Sequence, residues 1–299
     1  MCLPALDEAP TIGAMVRILD ELRSDGVIDE VLVLDGGSRD QTVAQAAGAG
    51  AAVFGWRDIR PELGPTLGKG DSMWRLLQLA RGEIVCYFDA DLVSFDATYV
   101  SRLLAPLLAD ERVSFVKSTF ERPLRLPGAP AGRRQGGRVT ERVGRPLLAL
   151  LYPELARFRQ PLSGQIAARR GLLEGLAFPA GYGVDAALMI DALRTVGLAG
   201  MAEADLGELL TVHQDAGALE RMAGEVAATI LARAARDGIA VAPEAKGFAV
   251  PQAPPAPERS ALVQVVRAGC ARLSARAARN CRAAPTSCRR KMWPPWATA

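Results

Sequence analysis

The sequence predicts an α/β protein whose mostly parallel sheet carries helices on both faces. Three observations predict it. Short apolar runs alternate with helix-periodic stretches over the first 115 residues. These runs have the length of buried strands and are bounded by turn residues. Acidic residues close two of them, at Asp35 and at Asp89/Asp91, and in open α/β sheets ligands bind beyond the carboxyl ends of the strands.

The elements follow in order. Cys2-Leu3-Pro4 reads as the end of a strand that begins before Met1, so residues are expected upstream. Thr11–Leu22 is helix-periodic, with Ile12, Met15, Val16 and Leu19 on one face. Glu30–Asp35 is a buried strand, which Gly36-Gly37-Ser38 turns into a helix capped by Ser38 or Asp40. Ala51–Phe54 is a third strand and Gly68–Ala80 a helix. Glu83–Phe88 is a fourth strand running into Asp89-Ala90-Asp91, and Val113–Lys117 a fifth. From Arg122 the character changes, and Gly128–Gly137 has the Gly, Pro, Ala and Arg content of a mobile surface loop. Helical segments are expected around Glu141–Leu151, Ala180–Val196 and Ala218–Arg236. Past Gly238 the pattern decays into a polyproline-type linker, Pro251–Pro257, and an Ala/Arg-rich tail read as disordered or loosely helical. Within that tail Leu262–Ala278 has the pattern of a basic amphipathic helix.

Composition narrows the function classes. At 299 residues, 49% hydrophobic and 23% charged, the chain has room for one domain of roughly 200–250 residues plus an extension, or for two modest domains. No apolar run has the roughly 18–20 residues of a membrane span. Asp7 and Glu8 stand too near Met1 for a signal peptide. Five cysteines without paired spacing make neither a disulfide framework nor a zinc site, which suits a cytoplasmic protein. The net charge of +3 is unevenly spread: residues 251–299 hold nine Lys/Arg and one acid, which leaves −5 for 1–250. The basic balance belongs to the tail, so neither a nucleic-acid partner nor a membrane is expected.

Asp89-Ala90-Asp91 is the sharpest local signal. Carboxylates at the end of an apolar strand repel each other and resist burial, and oxygen ligands at that spacing suit Mg²⁺ or Mn²⁺ bridging to a diphosphate. Two solvated acids or a helix cap would leave the same letters. His213, the sole histidine, is either structural or a third metal ligand arriving late in the fold, after Ala204–Leu210. Gly64–Gly70 falls one residue short of the P-loop spacing and has Gly70 where a Ser/Thr should be. Its Gly68-Lys69-Gly70 can still offer a flexible backbone and a cation to a diphosphate. Gly136–Thr140 is either an ordinary loop or a cradle for a phosphate or carboxylate.

Pro4-Ala5-Leu6-Asp7-Glu8, Leu34–Thr42, Gly68–Gly70, Asp89–Asp91, Gly137-Arg138-Val139-Thr140-Glu141, Arg145–Leu148, Gln160–Leu162 and Gly181-Tyr182-Gly183-Val184 occur in the order found in glucosyl-3-phosphoglycerate synthases. From about Leu3 to about Gly238 the chain resembles these retaining glycosyltransferases of the Rossmann-like GT-A fold. The resemblance implies residues 1–120 as the nucleotide-sugar-binding half of one domain and 121–240 as its helical, acceptor-binding half, with 241–299 as linker and tail. It implies that Pro4, Ala5, Leu6 and Glu8 hold uridine, with Asp35 and Gly36 helping at the nucleoside and Ala90 among the donor contacts. Lys69 would meet the donor diphosphate. Asp91 and His213 would bind Mg²⁺ or Mn²⁺, with Asp89 beside the metal or the ribose. Tyr182 and Asp185 would face the sugar, and Asp91, Lys69 and Asp185 form the catalytic set. Gly137, Arg138, Val139 and Thr140 would hold 3-phosphoglycerate, with Asp215 near its phosphate.

Four departures stand out: Gly36 where the family has Ser, Asp185 for Glu, Thr211 for Arg and Asp215 for Asn. The implied activity is glucosyl transfer from UDP-glucose to the 2-hydroxyl of 3-phosphoglycerate with retention, by same-face attack, in a homodimer. Another nucleotide-sugar or small polar acceptor, a degenerate protein that binds nucleotide-sugar without turnover, and a nucleic-acid or acidic-surface binder acting through the basic tail at 251–299 are the alternatives.

Overall fold

Strand β1 (Cys2–Ala5) starts an alternation that continues through α1 (Ala9–Ser24), β2 (Leu32–Asp35), α2 (Thr42–Gly48), β3 (Ala52–Gly55), α3 (Lys69–Leu79), β4 (Ile84–Tyr87) and α4 (Ala97–Ala109). The second half adds β5 (Phe115–Leu124), β6 (Gly132–Arg134), a π-helical turn (Thr140–Gly144) leading into α5 (Arg145–Leu151), β7 (Ile166–Arg169), α6 (Arg170–Gly175), α7 (Val184–Val196), β8 (Met201–Glu208) and α8 (Ala216–Arg236). This computed structural model describes residues 1–124, 132–134, 137–210 and 216–239. Most of the loop expected at Gly128–Gly137, together with Thr211, His213, Asp215 and the segments expected after residue 239, lie outside the described residues.

The strands form one sheet in the order β3-β2-β1-β4-β7-β5-β6, with β8 paired to β5. β3, β2, β1 and β4 run parallel, as does β8 beside β5, whereas β7 is antiparallel to both β4 and β5. The expected sheet is therefore observed with one reversed strand at its centre. Pro4 has no N–H to give, and the β1–β4 ladder is limited to Cys2 opposite Tyr87. Pro4 and Ala5 lie level with Leu34 and Asp35, so the loops leaving β1 and β2 emerge side by side.

Period-2 alternation divides the side chains between two cores. Leu32, Leu34, Val85, Tyr87, Phe115, Ile166 and Ala168 face α3, α5, α7 and α8. Leu3, Val33, Cys86, Phe88, Val116 and Ala167 face α1 and α4. Strands apolar on both sides are what a sheet covered on both faces requires.

Several expected boundaries shift. β5 runs on past Lys117 to Leu124, and Lys117, Ser118 and Thr119 within it are all buried. The helix expected from Ala180 starts at Val184, and Gly181 and Gly183 ahead of it sit so close to Glu225 and Thr229 of α8 that a Cβ on either would collide. Helix α4 has no counterpart in the sequence reading. Asp96 caps it by accepting from the Thr98 N–H at 2.8 Å, but Pro106 inside it reads as a breaker. No described helix is long and apolar enough to cross a membrane.

Candidate active site

The loops after β1 and β2 are stitched together. The Asp7 N–H donates to Ser38 Oγ at 2.9 Å, the Glu8 N–H to Thr42 Oγ1 at 2.7 Å, and the Arg39 N–H to Asp7 Oδ1 at 2.7 Å. Asp7 adopts φ 57° to make this turn, a left-handed conformation that Asp tolerates better than most residues. Asp35 does not project freely; its carboxylate accepts from the Gly37 and Ser38 N–H groups at 3.0 and 3.1 Å and so shapes its own loop. Thr66 joins the cluster from the segment before α3, donating to the Gly36 carbonyl at 3.2 Å. Leu6 is 56% exposed at the rim, while Pro4 and Ala5 belong to the strand itself.

The glycines around Lys69 have a packing role. A Cβ on Gly70 would collide with the Pro179 carbonyl oxygen, and Gly68 has φ 133° against Ala180. The Asp71 N–H donates to the Ala180 carbonyl at 3.0 Å. Gly68 and Gly70 thus let α3 start against the segment leading to Tyr182. Lys69 Nζ is delivered between two carboxylates, 2.7 Å from Asp89 Oδ1 and 2.8 Å from Asp185 Oδ2. Burial alone would push its ammonium down; Asp185 and Asp89 outweigh that and hold it above the ordinary lysine value. Asp185, expected to face the sugar, is buried behind Lys69, whereas Tyr182 is 39% exposed beside it.

Asp89 is also fixed from behind. Gln165 Nε2 donates to Asp89 Oδ2 at 3.1 Å, Ser163 Oγ donates to Gln165 Oε1 at 2.8 Å, and Ser118 Oγ shares a short bond with Ser163 Oγ. Gly164 has no side chain because a Cβ there would strike the Asp89 carboxylate. On the far side Thr11 Oγ1 donates to the Ala90 carbonyl at 2.7 Å, tying α1 to the turn that carries Asp91. Burial, then Asp91 and Asp89, push the Glu8 carboxyl up to about 7.

The donor chemistry here is that of a hard cation. Asp89 and Asp91 bring carboxylate oxygens to a strand end, and after burial, the larger cause, both help to raise the neighbouring Glu8 carboxyl. Among the described residues no group of three ligating side chains is assembled. A divalent ion on Asp89 and Asp91 would draw further ligands from a bound diphosphate, as Mg²⁺-type sites do. The residues fit such an ion. The chain leading to His213 is held close by: the Val93 N–H donates to the Leu210 carbonyl at 2.8 Å and the Leu210 N–H to Ser94 Oγ at 2.9 Å.

The expected acceptor segment opens the π-helical turn. Arg138 is exposed, Gly137 and Val139 are half-buried, and Thr140 is buried. Gly144 closes the turn, and its missing side chain leaves room for Leu162 of Gln160-Pro161-Leu162. Helix α8 packs against both this turn and Gly181–Gly183, so one helix backs both segments.

Sequence reasoning did not single out Lys117, Gln165, Ser163 or Thr66. The one available signal was Lys117-Ser118-Thr119 continuing an apolar strand, where polar residues are not expected.

Residues 1–145 match the family model described as glycosyl transferase family 2. The chain is 43% identical to glucosyl-3-phosphoglycerate synthase of Mycolicibacterium paratuberculosis over 233 residues, covering 77% of this chain and 70% of the relative. It is 38% identical to that of Petrotoga mobilis over 242 residues, covering 80% and 74%. The glucosyl-3-phosphoglycerate synthase of Mycobacterium tuberculosis, solved in complex with Mn²⁺, UDP-glucose and phosphoglyceric acid, aligns with a TM-score of 0.71 at 40% identity, covering 78% of each chain. The mannosyl-3-phosphoglycerate synthase of Rubrobacter xylanophilus aligns at 0.74 and 38% identity, covering 83% of this chain and 77% of that one.

Proposed function

The chain belongs to the glucosyl-3-phosphoglycerate synthase family of glycosyltransferases, and from that premise we propose that it transfers glucose from UDP-glucose to the 2-hydroxyl of 3-phosphoglycerate, with retention. The observation that carries this reading is the bridge of Lys69 between Asp89 and Asp185 at the carboxyl end of the sheet. It puts a fixed cation at the crevice where the fold binds its ligand.

In this reading Pro4, Ala5, Leu6, Glu8, Asp35 and Gly36 line the nucleoside site, with Ala90 at its edge. Asp35 acts through the loop that it shapes. A divalent cation on Asp91, Asp89 and His213 would supply charge stabilisation to the departing diphosphate. His213 follows the anchored Leu210 by three positions, about 11 Å of chain at most, which supports its membership. Lys69 adds a second positive charge on the diphosphate side, preorganised by Asp185 so that it need not reorient during the reaction. Tyr182 borders the sugar, and Asp185 acts there by holding Lys69.

Gly137, Arg138, Val139 and Thr140 hold the acceptor, Arg138 by a charge-assisted contact to phosphate or carboxylate, with Asp215 near the phosphate. Residues 1–120 thus form the donor half, 121–240 the acceptor half, and 241–299 a linker and tail. The acceptor hydroxyl attacks the face that the diphosphate leaves. The bond from the anomeric carbon to the diphosphate oxygen breaks as the new glycosidic bond forms, and that oxygen takes the hydroxyl proton. No carboxylate nucleophile is needed on this route. A cytoplasmic location belongs to the same reading, because both substrates are multiply charged and cross membranes poorly.

One observation favours a second donor. The likeness to a mannosyl-3-phosphoglycerate synthase is as strong as that to the glucosyl enzymes, so a nucleotide-linked mannose is the competing substrate. A competition assay with both nucleotide-sugars, 3-phosphoglycerate and Mn²⁺ decides it: a kcat/KM at least ten-fold higher for UDP-glucose supports the proposal, and the reverse ratio replaces it.

A further inference from the structure

Strand β5 carries three consecutive buried polar residues, Lys117, Ser118 and Thr119, where an apolar sheet would not place them. Lys117 is fully buried, and no role in binding either substrate falls to it. Its ammonium lies 3.6 Å from Asp185 Oδ1 and donates to the Asp185 carbonyl at 3.4 Å. Asp185 Oδ1 is itself buried and accepts no hydrogen bond, while Oδ2 is taken by Lys69. The two carboxylate oxygens therefore face two different lysines, one from α3 and one from β5. A buried charge that is not held by a partner is strongly unfavourable, so the pair stands or falls together.

We propose that Lys117 is a positioning residue for the transfer reaction: from behind, it fixes the Asp185 carboxylate, and through it the Lys69 ammonium that meets the donor diphosphate. This rests on the donor-site reading above. The chain of contacts runs Lys117–Asp185–Lys69–Asp89, cation and carboxylate alternating, and it closes on the Gln165–Ser163–Ser118 hydrogen bonds behind Asp89. Ser118 is the neighbour of Lys117 on the same strand. Adjacent β5 residues thus serve the two carboxylates that grip Lys69. Burial, and the charge of Lys69, push the Lys117 ammonium down against the pull of Asp185, to about 8. Asp185, Lys69 and Asp89 are the charged groups acting on it.

The test is a double-mutant cycle on the full chain, with Lys117→Met, Asp185→Asn and the pair, following UDP release from UDP-glucose with 3-phosphoglycerate and Mn²⁺. Lys117→Met is expected to lower kcat at least ten-fold, to leave the KM for 3-phosphoglycerate within two-fold, and to keep a cooperative melt. In the Asp185→Asn background the same change should cost less than two-fold more. Full additivity, or a Lys117→Met enzyme with wild-type kcat, would overturn the proposal. Should Lys117→Met fail to fold, Lys117→Gln takes its place in the cycle; failure of both to fold assigns Lys117 to folding and also overturns it. If the wild-type chain releases no nucleoside diphosphate from any nucleotide-sugar, the donor-site reading fails first. A wild-type rate with no loss in Lys117→Met leaves that reading intact and removes only this inference.

Discussion

Lys69 Nζ stands 2.7 Å from Asp89 Oδ1, so the cation that the proposed function sets against the donor diphosphate also neutralises the Asp89 carboxylate. Lys69→Met should therefore act twice, removing a charge from the departing group and leaving Asp89 and Asp185 to repel each other. The expected loss in kcat is on the order of 10²–10³-fold, that of one preorganised charge in a water-poor site. Steady-state kinetics at saturating donor checks it, and a loss confined to KM would assign Lys69 to ground-state binding.

Asp91→Asn keeps the shape of the side chain and removes its charge. Transfer should fall by about 10³-fold or more, because a hard divalent ion loses an anionic oxygen ligand. Titration of the wild type with Mn²⁺ after chelation should restore activity, whereas the variant should recover little at the same concentrations. Full wild-type activity in saturating chelator would remove the metal from the account.

The raised carboxyl of Glu8 has a definite sign in stability. Its folded value, about 7, lies above the ordinary 4.5, so the folded protein holds this proton more tightly than the unfolded chain does. Its contribution is most favourable below pH 4.5 and is lost as pH rises to about 7. Glu8→Gln should accordingly stabilise the unliganded protein at pH 8, on the order of 1–2 kcal/mol after allowance for solvent screening. The advantage should vanish near pH 4.5. Thermal melts of both proteins at the two pH values measure it; an advantage independent of pH would show that repacking, not charge, is responsible.

Arg138 is exposed at the start of the π-helical turn. Arg138→Ala should raise the KM for 3-phosphoglycerate by roughly ten-fold, the effect of one charge-assisted contact, and leave the KM for UDP-glucose within about two-fold. Equal losses for both substrates would make the segment structural.

Gly70→Ala tests the packing of α3 against the segment before Tyr182. The new methyl would meet the Pro179 carbonyl oxygen, a backbone atom that cannot turn aside. A loss of about 1–3 kcal/mol in stability is expected, together with a weakened donor site because Lys69 is the preceding residue. A neutral change in denaturant melts would mean that the two segments can part without cost.

The alternation of strands and helices was legible because each strand is an apolar run and each core face repeats with period 2. Leu32 and Leu34 face one side of the sheet and Val33 the other, as a doubly covered strand demands. The reversal of β7 was not legible. Ile166–Arg169 is as apolar as a parallel strand, and its direction is set by the chain path from β5 rather than by its residues. Asp89, Asp91 and Lys69 stood out because charge at a strand end or beside two glycines has few local explanations. Asp35 stood out for the same reason, and its carboxylate also accepts from the N–H groups of its own loop; side-chain type does not separate a turn-forming role from a ligand contact. Lys117 and Gln165 stayed hidden because they act through Asp185 and Asp89, across 68 and 76 residues of sequence.

The central claim is tested most directly by the product itself. Purified protein incubated with UDP-glucose, 3-phosphoglycerate and Mn²⁺ should give UDP and a glucosyl-3-phosphoglycerate in equal amounts. Proton NMR of that product should show the sugar on the 2-hydroxyl with the α configuration of the donor retained. UDP release independent of 3-phosphoglycerate, or a β-linked product, would contradict the account.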